Sequence, residues 1–583
     1  MMRAASILLA LLACVAYAQL PDTPAGRQFM AWRTAQDSGD RATIQQFLDK
    51  NLPRGRVEQE LAIHNQTGGY DIRKVEQSTD LHIEVLVQER GGARQFARVT
   101  MDVEPGEAHQ IAGIRIQPTQ PPPGMAPPKL TPAEQEAARK EVPFRQFSAW
   151  LEAFNSGDRS RISRLLEASF PTMKVDQQMN FRERSGGFEL RALGQATPTS
   201  VTGVMQERDS DQFARFTVVV EPEEPHRIVR FPIQGIPRPA EFPLAAMSES
   251  ELVAALRARL EKQAAADQFS GAAMLAKNGK LLFSGAYGMA DREKKVPNQL
   301  DTRFRIGSMN KMFTATSVLQ LVQAGKIKLT DPVGRYITDY PNPDIAAKVT
   351  IHQLLTHTGG AGDFFGPEFD AHRLELKTLD DYVTLFGKRG PAFEPGSRWV
   401  YSNYGMLLLG VVIQRVSGQS YYDYVAEHVY KPAGMTRTGS EPESETVSGR
   451  STGYMRARGG GGWTPNTDTL PYRGTSAGGG YSTVGDLQKF ADALMGHKLL
   501  NAENTPLLIT GKVDSGGGRM YAYGFEDGRK DGIGAVGHSG GAPGMNGDLR
   551  IYPKSGYVVA VLSNLDPPAA TQVSGFIDLR LPK

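Results

Sequence analysis

Two hydrophobic periodicities alternate along the chain and divide it into units. In the second quarter, Phe147, Trp150, Leu151 and Phe154 recur at helical spacing. Gly157 and Asp158 then supply a helix stop and the N-cap of the next segment. Period-two alternation follows, as in Phe213 to Val220, and predicts antiparallel strands. The same succession occurs earlier. RQFMAW at 27–32 returns as RQFSAW at 145–150, 118 positions on. SGD, GG, QER, QFAR and VEP follow in the same order in both places. Agreement that keeps its order this far marks an internal duplication, with α+β copies at 25–117 and 143–235, each one helical stretch followed by a strand meander. Proline-rich linkers separate the units: 118–142, which contains PTQPPPGMAPPKLTP, and 236–248.

From 249 to 583 the pattern changes. A helix is expected over Ser250 to Gln263. GAAMLAKNGKLLFSGAYG then gives two strand patterns meeting at Asn278-Gly279, a strong hairpin signal. DLRIYPKSGYVVAVLSN gives a second hairpin turning near Lys554-Ser555-Gly556. Helical stretches lie between them, notably Met312 to Ala324 and Gly405 to Val416. Strands at both ends with helices in the middle predict an α+β fold, an antiparallel sheet flanked by helices.

Composition narrows the function. Of the 583 residues 40% are hydrophobic and 22% charged, and the net charge of +3 comes with no basic run, which argues against nucleic acid as a partner. The N-terminus reads as an export signal: Met1-Met2-Arg3, an apolar run from Ala4 to Val15, then Ala16-Tyr17-Ala18, with cleavage expected after Ala18. Leu11-Leu12-Ala13-Cys14 offers a lipoprotein alternative, with a lipid anchor on Cys14. Cleavage after Ala18 leaves no cysteine, which excludes disulfides and thiol chemistry. No later run is long enough to span a bilayer. The expected location is secreted or periplasmic, or else membrane-anchored.

The chemistry starts at GSMNKMF, 307–313, read as a helix start. A serine cap is best followed three residues on by an acid, whereas here Lys311 follows Ser308. Partial burial would push that lysine toward its neutral form, able to take the serine proton and make a nucleophile. Two further elements have structural and functional readings side by side. In Tyr401-Ser402-Asn403, Ser402 or Asn403 can cap a helix, or Tyr401 can serve as base or relay and Asn403 can orient substrate. His538-Ser539-Gly540-Gly541 is either a turn with a solvated histidine or a glycine-rich strand close to substrate.

Together these elements, with VTIHQLLTHTGG (349–360) and SAGGGYSTVGDLQKFADAL (476–494), resemble the serine β-lactamase and penicillin-binding-protein superfamily. The nearest resemblance is to class C β-lactamases and related D-peptidases and esterases. The resemblance covers about 250 to 583. It implies an antiparallel sheet with helices on both sides plus an all-helical subdomain, and an acyl-enzyme on Ser308 with Lys311 as proton partner and Tyr401 as base. It further implies that Asn403, His538, Ser539, Gly540 and Gly541 bind substrate, with an oxyanion hole from the N–H groups of Ser308 and Gly541, and no metal or cofactor. His538 stands where class C enzymes carry lysine, which points to D-amino-acid peptides or small esters before β-lactams. The duplicated copies resemble nuclear-transport-factor-like domains, with Trp32 and Trp150 in the core or lining a pocket.

Two alternatives stay open. Gly474-Thr475-Ser476-Ala477-Gly478 fits the nucleophile pattern of another hydrolase class, without the strand that should precede it. A non-catalytic ligand-binding or sensor protein would use the duplicated copies. Oligomeric state is not encoded in any pattern here.

Overall fold

The computed structural model describes residues 20–582, apart from 54, 91–95, 108, 120–129, 209, 237, 245–246, 458–461, 517–518, 531 and 533. The expected signal at 1–18, with Cys14, and residues 120–129 of the first proline-rich linker lie outside the described residues. The chain divides into two compact units at Pro243 and Leu244, within the stretch assigned to the second linker.

In the first unit both copies carry three consecutive helices where one helical stretch was expected. The first copy has Pro24–Ser38, Arg41–Asn51 and Val57–Thr67; the second has Val142–Ser156, Arg159–Ser169 and Val175–Ser185, preceded by Pro132–Lys140. Asp40 and Asp158 cap the middle helices after left-handed Gly39 and Gly157, so the stop-and-cap pattern separates two helices in each copy. The third helices escaped notice because their faces are only weakly apolar. An antiparallel meander follows: Tyr70–Ser78, His82–Glu89, Phe96–Val103 and Ile111–Thr119 in the first copy. The second repeats it, with its last strand split into Ile228–Arg230 and Ile233–Ile236, both pairing with Phe213–Val220. Pro232 lies at the break and has no N–H to give the ladder.

The second unit is built on one eight-stranded antiparallel sheet. Its strands are β1 (Gly271–Lys277), β2 (Lys280–Tyr287), β3 (Val513–Gly516), β4 (Arg519–Tyr521), β5 (Glu526–Asp527), β6 (Val536–Ala542), β7 (Met545–Ile551) and β8 (Tyr557–Ser563), in the order β2-β1-β8-β7-β6-β5-β4-β3. The hairpin turns lie at the expected Asn278-Gly279 and near Lys554-Ser555-Gly556. β1 and β8 are buried on both faces, and alternation divides their residues between two cores. Ala273, Leu275, Val559 and Val561 pack under helices α1 (Glu249–Ala265) and α5 (Ala569–Asp578). Ala272, Met274, Ala560 and Leu562 face the larger core around helices α2 (Asn310–Gln323), α3 (Asn403–Ser417) and α4 (Val484–Met495). Helix α2 is buried at every position from Asn310 to Leu319, so it runs through the core with its first turn below β6.

Candidate active site

Ser308 does not cap a helix. It sits in a tight 3-10 turn, Gly307–Met309, and α2 begins only at Asn310. The turn needs Gly307 in the left-handed region, at φ 52°, and a Cβ there would stand 3.2 Å from Gly541 N. Gly540 is still more constrained: a Cβ would lie 2.0 Å from the Ile306 carbonyl oxygen and 3.1 Å from Ser308 N. β6 therefore runs against the nucleophile turn with backbone touching backbone, which only glycine permits. This brings Ser308 N and the Gly540–Gly541 backbone to one side of the serine.

Lys311 occupies the first turn of α2, where the helix dipole disfavours a cation, and it has no solvent exposure. Its Nζ lies 3.0 Å from Ser308 Oγ and donates to Asn403 Oδ1 at 2.8 Å and to the Ala477 carbonyl. The last two are oxygens that only accept. A neutral amine gives them its two N–H groups and keeps its lone pair for Ser308. Burial brings Lys311 down from the usual lysine range to about 7, opposed in part by the Asp363 carboxylate. Tyr401 shares the site, with its ring 4.7 Å from Nζ and its hydroxyl hydrogen-bonded to Ser308. Burial pushes the Tyr401 phenol far above its ordinary range, so it carries its proton at neutral pH.

At 401–403 the capping reading is the one the structure shows. Ser402 caps α3, accepting from Gly405 N at 2.8 Å, and Asn403 begins the helix. Asn403 is fixed by Asp363, whose carboxylate accepts from Asn403 Nδ2 at 2.9 Å and from its backbone N–H at 3.3 Å. That contact turns Asn403 Oδ1 toward Lys311. His538 is not a solvated turn residue: it lies in β6, 3% exposed, 3.0 Å from Tyr521 Oη through Nε2. Burial lowers its pKa, outweighing the attraction of Glu526, which leaves a neutral ring at the position of the class C lysine. Ser539, the next residue, is half-buried and donates to Glu526 Oε1 at 3.3 Å.

Sequence reasoning missed three contributors. Asp363 has no motif of its own. Ala477 contributes a carbonyl, which composition cannot announce; it is aimed because α2 holds three successive carbonyls, Asn310 bonding Thr475 O at 2.7 Å, Thr314 bonding Ser476 O at 2.7 Å, and Lys311 bonding Ala477 O. His357 has left-handed φ of 59°, accepts from Ser402 N at 3.2 Å, and places its ring 4.5 Å from that of Tyr401. The phrases THTGG and SAGGG were the available signals. Ser476, the rival nucleophile, has no exposure and bonds the Leu407 carbonyl at 3.2 Å; a Cβ on Gly410 of α3 would lie 2.2 Å from its Oγ. It is a packing residue. Among the described residues no group of three metal-ligating side chains occurs, and no helix is long and apolar enough to cross a membrane.

Comparison with known proteins bears on the same residues. A family model described as beta-lactamase matches residues 256–580. PbpX of Bacillus subtilis (strain 168) is 31% identical over 296 residues, covering 50% of this chain and 70% of that protein. Esterase EstB of Burkholderia gladioli is 35% identical over 227 residues, covering 36% of this chain and 57% of its own length. A solved structure of a penicillin binding protein from Bacillus halodurans, 34% identical, superposes with a TM-score of 0.51 over 54% of this chain and 98% of that one.

Proposed function

Because the chain belongs to the β-lactamase family and is a serine hydrolase, we propose that it forms an acyl-enzyme on Ser308 and acts outside the cytoplasm on D-amino-acid peptides or small esters. The observation that carries the reading is the Lys311 amine, 3.0 Å from Ser308 Oγ, its pKa brought by burial to about 7 so that its neutral form is available near neutral pH, with two N–H groups committed elsewhere. The Ser308 proton passes to the Nζ lone pair as Oγ bonds the acyl carbon. The oxyanion meets the N–H groups of Ser308 and Gly541. Tyr401, a phenol and not a phenolate, hands its proton to the leaving group and takes back the one that Lys311 received from Ser308. Water retraces the path to release the acid and restore Ser308. Asn403 orients the substrate amide or ester, and Ser539 with Gly540 lines the β6 edge. Neutral His538 gives that edge no fixed charge for a carboxylate, which ranks uncharged esters and amides ahead of β-lactams.

Treatment with a serine-reactive fluorophosphonate, followed by peptide mapping, tests this directly. One adduct is expected, on Ser308; an adduct on Ser476 or Ser539 instead would sink the assignment. The labelling rate should also report Lys311. Only the neutral amine is a base, so the rate is low in acid, half-maximal near pH 7 and flat above pH 8.

Asp363→Asn supplies a separate check. The Asp363 carboxylate raises the Lys311 pKa against the effect of burial, so its removal should move the labelling midpoint to lower pH. A midpoint that rises, or does not move, would show that Asp363 does not reach Lys311 electrostatically.

A further inference from the structure

The two copies of the first unit share a fold but not an interior. In the second, Phe147, Phe154, Phe181, Phe188, Phe216 and Phe231 pack with Trp150 into a continuous aromatic core, Phe147 stacked on Phe216 at 3.8 Å and Trp150 on Phe154 at 4.7 Å. The first copy has the same succession of three helices and a meander, with one last strand where the second has two. Gln36, Ile63, Tyr70, Val99 and Ile114 stand where the second has Phe154, Phe181, Phe188, Phe216 and Phe231. Three of these smaller or more polar residues, Ile63, Tyr70 and Ile114, border a cavity of about 310 Å³, together with Trp32, Glu60, Glu89 and Phe96 and with Gln234 of the second copy. Exposed Gln59 lies at its rim. The size suits a small ligand.

Its polarity is specific. Trp32 and Tyr70 are stacked with centroids 6.0 Å apart. Glu60 is 8% exposed, and its Oε2 accepts from Trp32 Nε1 at 3.2 Å and from Gln36 Nε2. Both donors are neutral, and Glu60 makes no ion pair among the described residues. Glu89 differs, since Arg215 and Arg230 from the second copy lie within its electrostatic reach. The second copy replaces Glu60 with Gln178, which accepts from Trp150 Nε1 at 2.9 Å in the same way. The indole therefore needs no carboxylate; the charge in the first copy has some other use. Two buried amide oxygens, Gln36 Oε1 beside Glu60 and Gln234 Oε1 on the cavity wall, add acceptors that meet no donor among the described residues.

We propose that this cavity is a binding site for a small organic ammonium ion, its charge facing Glu60 and its apolar groups against Trp32 and Tyr70. A buried carboxylate with only neutral donors is costly until a cation joins it, and aromatic faces favour a desolvated ammonium over a neutral molecule of the same shape. The cavity belongs to the first unit, and its binding does not depend on the reaction proposed for Ser308.

Calorimetric titration of the full chain with choline, and with 3,3-dimethylbutan-1-ol as its neutral counterpart, provides the test. Saturable choline binding is expected, with the alcohol at least about tenfold weaker. Glu60→Gln, which installs the side chain the second copy already folds around, should weaken choline by a similar factor. Ile63→Phe with Ile114→Phe should abolish binding by filling the space, while Ser308→Ala should leave it intact. No saturable binding of choline overturns the proposal. So does equal binding of the alcohol, insensitivity to Glu60→Gln, or binding that survives the filled cavity in a protein whose melting temperature is unchanged.

Discussion

Replacing Ser308 with alanine is expected to lower turnover by on the order of 10⁵–10⁶-fold, and Lys311→Met to cost on the order of 10³–10⁴-fold on its own. The more telling outcome is the double variant, which should lose no more than Ser308→Ala alone. Groups that act on one proton fail together, because the base has no work once the hydroxyl is gone. The geometry supports this strict coupling: Lys311 has no exposure and its other two hydrogen bonds end on fixed carbonyl oxygens. Methionine nearly matches the lysine stem in volume, so the loss reads chemistry and not a cavity. Initial rates on an activated ester, with circular dichroism to confirm folding, give the comparison. If the two losses simply multiplied, Lys311 would be acting on something other than the serine.

Gly540→Ala should destabilise the second unit strongly. The new Cβ would lie 2.0 Å from the Ile306 carbonyl oxygen and 3.1 Å from Ser308 N. These are backbone atoms, so no rotamer change relieves the clash, and β6 or the Ser308 turn has to move. A cost of about 3 kcal/mol or more follows from overpacking, seen as a fall of roughly 5–10 °C in the melting temperature of this unit. Fluorophosphonate labelling should fall as well, since the displaced N–H groups are those assigned to the oxyanion. Gly541→Ala is the matched control. Its Cβ would meet a side-chain carbon, Pro567 Cγ, at 2.8 Å, and Gly541 is exposed. If both variants melt and label alike, close backbone approach is not what selects glycine at 540.

How much of this could be read from the residues depends on distance along the chain. The hairpin at Asn278-Gly279 and the helix after Ser402 are local, and periodicity with turn chemistry specified them. Ser308 and Lys311 stood out because they sit three apart and break a local rule. The rule itself was misapplied, for Ser308 lies in a 3-10 turn before the helix. What escaped was long-range. Asp363 reaches Asn403 across 40 positions and Ala477 reaches Lys311 across 166. Such partners are chosen by packing and leave no periodic trace. His538 shows the same limit: its sequence neighbours are glycines and a serine, while its burial and its Tyr521 contact come from the sheet. In the first unit the duplication was plain. The difference between the two interiors required knowing which side chains face inward.

The strand order β2-β1-β8 has a consequence for how the second unit comes into being. β1 pairs along its whole length with β8, Gly271 opposite Ser563 and Lys277 opposite Tyr557. Nearly the entire unit separates these partners in sequence, so the loop-closure entropy falls on the centre of the sheet rather than its edge. During synthesis β1 emerges near the start of the unit with both faces apolar, and only β8, near the unit's far end, can pair with its open edge. The unit should therefore acquire its protected core in one late step. Pulse-labelling hydrogen exchange during refolding would show the amides of β1 and β8 becoming protected together, after those of the β1–β2 hairpin.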